Sequence, residues 1–286
     1  MDQETVIFVR RWFSGPRAGS GVVRSFAVMS SILAFAVALL SGTHAAVASR
    51  HEFTPQQSDA IRQIVRDYLI KNPEVILEAI EALKAKDQAS TEARSRQTIA
   101  ARRAEIFEDP ESPIAGNAQG DVSIVEFFDY RCPYCKKVHS TIQALLRDDK
   151  MIRFIYKDWP ILGPPSVYAS RAALAARSQQ KYVEFHAALM ETRGSLDEAA
   201  VMSAAKSVGL DVDRLKRDME AQAAKLKGIF ARNDELAREL GISGTPAFVV
   251  GDVVIRGAAD LESLKGVVAE FRRRGPRSTR PAPAVQ

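Results

Sequence analysis

Between residues 54 and 83 the apolar positions recur at helical spacing in two short runs. Ile61, Ile64, Val65, Tyr68 and Leu69 form one stripe, and Val75, Ile76, Leu77, Ile80 and Leu83 form another, with Asn72-Pro73 breaking the pattern between them. Thr54-Pro55-Gln56-Gln57 opens the first helix, with Thr54 as cap, Pro55 in the first turn and Gln57 completing a capping box. Neither helix can bury its own stripe, so the pair needs a partner surface. From Lys84 to about Arg103 the chain alternates Ala, Ser, Gln and charge, which predicts helix or linker outside any core. Residues 49–83 are therefore expected to be a helical self-association module and 84–112 a polar helical linker. The competing expectation is that the two helices fold back onto the main domain.

From about Asp121 the pattern turns to α/β. The run Val122–Phe128 predicts a strand, followed by a helix ending near Leu146, and Met151–Tyr156 reads as a second strand closed by Lys157-Asp158-Trp159-Pro160. A long helical region follows, in pieces Val167–Arg177, Tyr182–Glu191, Asp197–Val208 and Arg214–Leu240, with Gly194 and Gly209 as breaks. Ala247–Val250 and Val253–Arg256 then predict a hairpin around Gly251-Asp252, and a last helix runs from about Leu261 to Arg273.

The amino terminus differs from all of this. Arg10, Arg11, Arg17 and Arg24 precede an apolar stretch from Phe26 to Leu40, and Ala46-Val47-Ala48 follows, which reads as an export signal over residues 1–48. The stretch is shorter than the roughly 20 residues that span a bilayer, so an uncleaved anchor is the lesser reading. Removing it leaves 36 basic residues against 33 acidic ones. That balance argues against nucleic acid, and Arg272, Arg273, Arg274, Arg277 and Arg280 fit a solvated basic tail over 274–286.

The chain has two cysteines, together as Cys132-Pro133-Tyr134-Cys135 at the predicted strand-to-helix junction. There, helix N-H groups and the positive end of the helix dipole favour a thiolate, the form that attacks disulfides. A structural zinc site would need four ligands; His139 offers a third and no fourth is evident. A purely structural disulfide across so short a loop would restrain little. Of the four histidines, His44 lies in the signal region and His51 just after it, while His139 and His186 fall in predicted helices and are expected as surface or satisfied residues, and no resident metal is expected. Gly244-Thr245-Pro246-Ala247-Phe248 stands immediately before the predicted hairpin, where a proline lacks the N-H a ladder uses.

A CxxC after a strand, with a later Thr-Pro opening a hairpin, resembles the thioredoxin superfamily, in which that proline is cis and faces the cysteines. The 114 residues between Cys132 and Pro246, export, and Glu126-Phe127-Phe128 leading into Cys-Pro-Tyr-Cys resemble the DsbA family of thiol-disulfide oxidoreductases. The amino-terminal helices resemble those of a ScsC-like subgroup, some of whose members are trimers. The resemblance implies a thioredoxin fold over 113–273 with a helical insertion at about 160–241.

Carried over position by position, it implies Cys132 as nucleophile and Cys135 as resolving thiol, with their reversible disulfide as the only redox group and no other cofactor. Thr245 and Pro246 would line the client groove beside Pro133 and Tyr134, and Glu126 would be a buried acid moving protons near Cys135. The competing expectation for Glu126 is a surface charge at the strand edge. Lys157 is expected to pair with Glu126. Tyr134 replaces the histidine of the strongest DsbA oxidants, so a depressed Cys132 pKa with a milder oxidising couple is expected. The partners implied are folding protein clients, a membrane redox partner and further copies of the chain, in the periplasm. Isomerase, reductase and monomeric oxidase remain open, as does a protein that captures copper with the same cysteines.

Overall fold

The computed structural model describes residues 53–275. They fall in two units that divide between Tyr68 and Leu69. The first holds most of helix α1 (Pro55–Lys71). The predicted capping box is present: the Thr54 backbone N-H donates to Gln57 Oε1 at 2.9 Å, and the Gln57 N-H donates to Thr54 Oγ1 at 3.2 Å. Ile61, Ile64, Val65 and Tyr68 are all exposed.

The second unit begins with α2 (Glu74–Ala101) and α3 (Arg103–Phe107). Strands β1 (Ile114–Gly116), β2 (Val122–Phe128), β3 (Ile152–Asp158), β4 (Ala247–Val250) and β5 (Val253–Arg256) form one sheet in the order β1-β3-β2-β4-β5. Strands β2 and β3 run parallel, joined by α4 (Pro133–Asp148), while the other pairs are antiparallel. Between β3 and β4 lie α5 (Pro164–Ala175), a short 3-10 turn at 176–179, α6 (Tyr182–Glu191), α7 (Glu198–Ser207), α8 (Val212–Ala221) and α9 (Ala223–Glu239). Helix α10 (Leu261–Arg274) closes the unit. Among the described residues no helix is long and apolar enough to cross a membrane.

Strand β2 is covered on both faces, which is why Val122–Phe128 reads as an almost unbroken apolar run rather than an alternation. Ile124 and Phe128 point into the larger core with α4, α10 and the inserted helices. Val125 and Phe127 point into a second core with Ile155, Trp159, Leu236 and Leu240. The β4–β5 hairpin has the predicted bounds, and Gly251 makes its turn at φ +61°, where an added Cβ would meet the Phe271 ring at 2.4 Å.

One expectation fails at the end of α2. The segment after Lys84 was expected to stay out of the core, yet Ser95 and Ile99 are buried, and Ile99 packs with Ile106 and Phe107 in the second core. A single isoleucine per few turns carries no periodic signal, but it suffices where a helix crosses the sheet at one point. Polar contacts fix the crossing: Ser95 Oγ donates to the Leu240 carbonyl at 2.7 Å, and Thr98 Oγ1 to that of Glu239 at 3.2 Å, occupying acceptors left open at the end of α9.

Candidate active site

Cys132 is the N-cap of α4 and Pro133 its first residue, a position where the missing N-H costs nothing. The loop leading to it is organised by Asp129, whose carboxylate is fully buried. Asp129 Oδ1 accepts from the Arg131 N-H at 2.7 Å and from Ser166 Oγ at 2.7 Å, while Oδ2 accepts from the Leu162 N-H at 2.9 Å. Sequence reasoning passed over Asp129; an aspartate two residues ahead of a turn N-H is the local signal that marks it.

The Thr245–Pro246 peptide bond is cis, and it brings the Thr245 carbonyl oxygen to 3.2 Å from Cys132 Sγ, which donates to it. Cys132 and Cys135 are both thiols and both buried, at 4% and 1% exposure, so the nucleophile is only marginally the more open of the two. Their electrostatics diverge sharply. The hydrogen bond from the Cys135 thiol pushes Cys132 down to about 5 against the cost of burial, and the Thr245 side chain and the N-H groups of Cys135 and Tyr134 help. Burial, the Cys132 thiol and the Glu126 charge push Cys135 far up. The environment thus favours the thiolate at Cys132 and the thiol at Cys135.

Pro133 and Tyr134 flank the nucleophile at the surface, Tyr134 at 64% exposure. Ile161 and Leu162 are exposed nearby, held by the Arg131 guanidinium on the Leu162 carbonyl at 2.5 Å. A cavity of about 610 Å³ opens beside Pro133, lined also by Arg131, Lys136, Pro165, Met190 and Leu196.

A model of the DSBA-like thioredoxin domain matches residues 123–269, a span holding the CxxC, the cis-proline loop and the inserted helices. The chain belongs to this family. A model described as the copper resistance protein ScsC N-terminal domain matches residues 57–90 of this DsbA-like protein. A thioredoxin-like oxidoreductase from Silicibacter pomeroyi is 45% identical, with a TM-score of 0.58, covering 60% of this chain and 98% of that one. A ScsC linker-deletion mutant from Proteus mirabilis is 29% identical, with a TM-score of 0.56, covering 79% of this chain and all of that one. Among curated proteins, the Na(+)/H(+) antiporter NhaA 1 of Salinispora arenicola is 29% identical over 157 residues. The chain spans about a quarter of the length of the curated relatives it matches, 24% in that case.

Within the DsbA-like domain Glu126 is 1% exposed and neither carboxylate oxygen has a hydrogen-bond partner. Burial, with the Cys132 and Asp158 charges, raises its pKa well above the usual carboxylate range, so it is no strand-edge surface charge. Its expected pairing with Lys157 is wrong. Glu126 stands opposite Tyr156, and Lys157 opposite Phe127, so the two side chains leave opposite faces of the sheet. Lys157 instead donates to Asp109 Oδ2 at 2.9 Å and to the Glu105 carbonyl at 2.7 Å, tying the chain after α3 to the sheet.

The histidines also differ from expectation. His139 and His186 are buried and face each other with ring centroids 5.3 Å apart. Both lie on apolar stripes of helices that face the larger core, a pattern the lone histidines did not announce. Among the described residues no group of three or more His, Cys, Asp or Glu is placed to hold a metal ion.

Proposed function

We propose that this DsbA-like protein is a periplasmic thiol-disulfide oxidoreductase that reduces or isomerises disulfides in exported proteins. The observation that carries the reading is the activated Cys132 thiol held against the cis-proline loop, with a protonated Cys135 one turn behind it. Cys132 thiolate attacks a client disulfide to give a mixed disulfide; Cys135 then attacks Cys132, releasing the second client sulfur when the client does not rearrange first. The Thr245 backbone can pair with an extended client strand, which gives affinity without demanding a sequence. Exposed Tyr134, Ile161 and Leu162 suit the apolar segments that unfolded clients present. The export signal read over residues 1–48 supports the periplasm, and a membrane partner would return electrons to the pair.

Residues 54–83 support a homo-oligomer, since Ile76, Leu77, Ile80 and Leu83 on α2 are exposed, as are Ile61, Ile64, Val65, Tyr68 and Ile70 on α1. An assembly displaying several cysteine pairs favours isomerase or reductase over a monomeric oxidase. Recovery of scrambled ribonuclease and reduction of insulin test the reading, with Cys132→Ser expected to abolish both. Activity that survives this substitution overturns it.

The description of the amino-terminal family model raises the copper reading. The matched residues 57–90 contain no Cys, His or Met, so a soft ion would fall to Cys132 and Cys135 alone. Tight Cu(I) binding without exchange activity would favour that alternative.

A further inference from the structure

Behind Cys135 the sheet, α4 and α6 enclose a group of polar atoms that protein interiors ordinarily do not leave unpaired. Both Glu126 carboxylate oxygens, the Tyr156 hydroxyl, His139 Nε2 and His186 Nε2 are buried without a hydrogen-bond partner. About one buried polar group in ten or fewer is normally left so, because each forfeits its hydration without a replacement bond. Here they share one neighbourhood. Glu126 and Tyr156 are direct neighbours in the parallel register of β2 and β3. The Tyr156 and His186 rings lie 4.3 Å apart by centroid, and the His186 and His139 rings 5.3 Å. The Tyr130 hydroxyl is 3.1 Å from His186 Nδ1, and the Tyr182 hydroxyl donates to Asp158 at 2.8 Å. The series starts at the acid beside the cysteines and ends on His139, which is 5% exposed against 1% for His186.

We propose that Tyr156, His186 and His139 form the outlet through which the proton taken from Cys135 leaves the buried site, with His186 as its central positioning residue. The inference rests on the exchange function above. In resolution the Cys135 thiol gives its proton to the Glu126 carboxylate, and the resulting thiolate attacks Cys132 in the mixed disulfide. The Cys132–client S–S bond breaks, the Cys132–Cys135 bond forms, and the departing client sulfur keeps the electron pair and takes a proton from solvent. Two electrons pass from the cysteine pair to the client, and no other oxidant or reductant takes part.

The proton must pass on from Glu126 before the transfer reverses, so its escape decides how long the Cys135 thiolate persists to attack. Glu126 faces no solvent, whereas the hydroxyl and imidazole neighbours can each accept and donate. The titratable groups around the two histidines are Cys135 on α4, Glu126 on β2, Tyr130 on the preceding loop, Tyr156 and Asp158 on β3, and Tyr182 and Glu191 on α6. Burial holds both imidazoles below their usual pKa, with Glu191 opposing this at His139, so they are neutral carriers rather than stored charges.

The two chemical steps separate with Ellman's reagent on the reduced full chain, because Cys132 releases one thionitrobenzoate and Cys135 the second. His186→Phe, which keeps a ring but no nitrogen, is expected to leave the first phase within about twofold and slow the second about tenfold, with a larger solvent deuterium effect on the second. His139→Gln, nearer the surface, serves if His186→Phe does not fold; it is expected to slow the second phase and to recover it with added imidazole. A second phase that is unchanged in a folded variant, or that imidazole does not recover in His139→Gln, overturns the outlet and leaves the exchange function standing. A wild type with no first phase overturns the exchange function and the outlet with it.

Discussion

Cys132 Sγ lies 3.2 Å from the carbonyl oxygen of Thr245, across 113 positions of the chain. This contact joins the start of α4 to the start of β4, which is where the proposed function places the client disulfide. The site is therefore a property of the closed sheet and not of the CxxC alone.

The depressed Cys132 pKa gives the first prediction. Alkylation of the reduced protein by iodoacetamide is expected to rise with pH around a midpoint of about 5, where an ordinary cysteine titrates near 8.5. Because the folded-state pKa is lowered, the thiolate's stabilisation of the reduced form is complete above about pH 8.5 and is lost progressively as pH falls to about 5. That midpoint lies between the roughly 7 of thioredoxin and the roughly 3.5 of the strongest DsbA, so the potential is expected between about −270 and −120 mV. A couple as oxidising as the upper figure would show that Tyr134 does not weaken thiolate stabilisation.

Glu126 gives the second. An unpaired buried carboxyl is costly, so Glu126→Leu is expected to raise unfolding free energy at pH 7 by about 1–3 kcal/mol while slowing release of the mixed disulfide. Chemical denaturation and the Ellman second phase check the two halves. A destabilised Glu126→Leu with full turnover would mean the carboxyl serves packing only.

Lys157 and Asp109 give the third, and they separate a structural ion pair from the catalytic one expected from sequence. Lys157 is fully buried and Asp109 is its only carboxylate partner within bonding distance among the described residues. Removing that partner in Asp109→Ala leaves a buried ammonium, with an expected loss of about 3–5 kcal/mol in urea unfolding. The Cys132 alkylation midpoint should not move, because the pair lies on the opposite face of the sheet from Glu126.

These residues also show what the sequence could and could not disclose. The hairpin and the active-site helix were legible because Gly251 and the CxxC impose local chemistry, whereas the cis bond before Pro246 was implied only by the family resemblance. Strand β1 was not, because three residues at a sheet edge carry no period. Which face Glu126 and Lys157 occupy is settled by register, and a single residue of slip inverts it. The burial of His139 and His186 was hidden for another reason: it follows from where the inserted helices dock, which no local pattern encodes.

Asp158 gives the fourth prediction. Burial pushes its carboxyl up to about 7, although the Tyr182 hydroxyl bond acts the other way. A folded pKa above the unfolded value of about 3.9 means that stability is fully present below about pH 4 and is lost as pH rises towards 7, by up to about 1.4 kcal/mol per pH unit. Asp158→Asn removes that titration. The difference in unfolding free energy between wild type and variant, measured from pH 4 to 8, should therefore shift towards the variant as pH rises. A pH-independent difference would show that Asp158 is ionised throughout.

The last prediction concerns assembly. The exposed apolar residues on α1 and α2 end at Leu83, whereas the contacts that fix α2 to the sheet begin only with Ser95 and Thr98. Exposed apolar surface of this kind is retained when something covers it, and isolated helices of this length are marginal in water. Deleting residues 49–83 is expected to convert an oligomer to a monomer by light scattering while leaving the Cys132 alkylation profile unchanged, since every group around Cys132 lies beyond residue 125. Ile76→Glu with Ile80→Glu should do the same without shortening the chain. If several cysteine pairs around one client are what makes an isomerase, these monomers should still reduce insulin but lose most recovery of scrambled ribonuclease. An unchanged mass in both variants would remove the assembly from the function altogether.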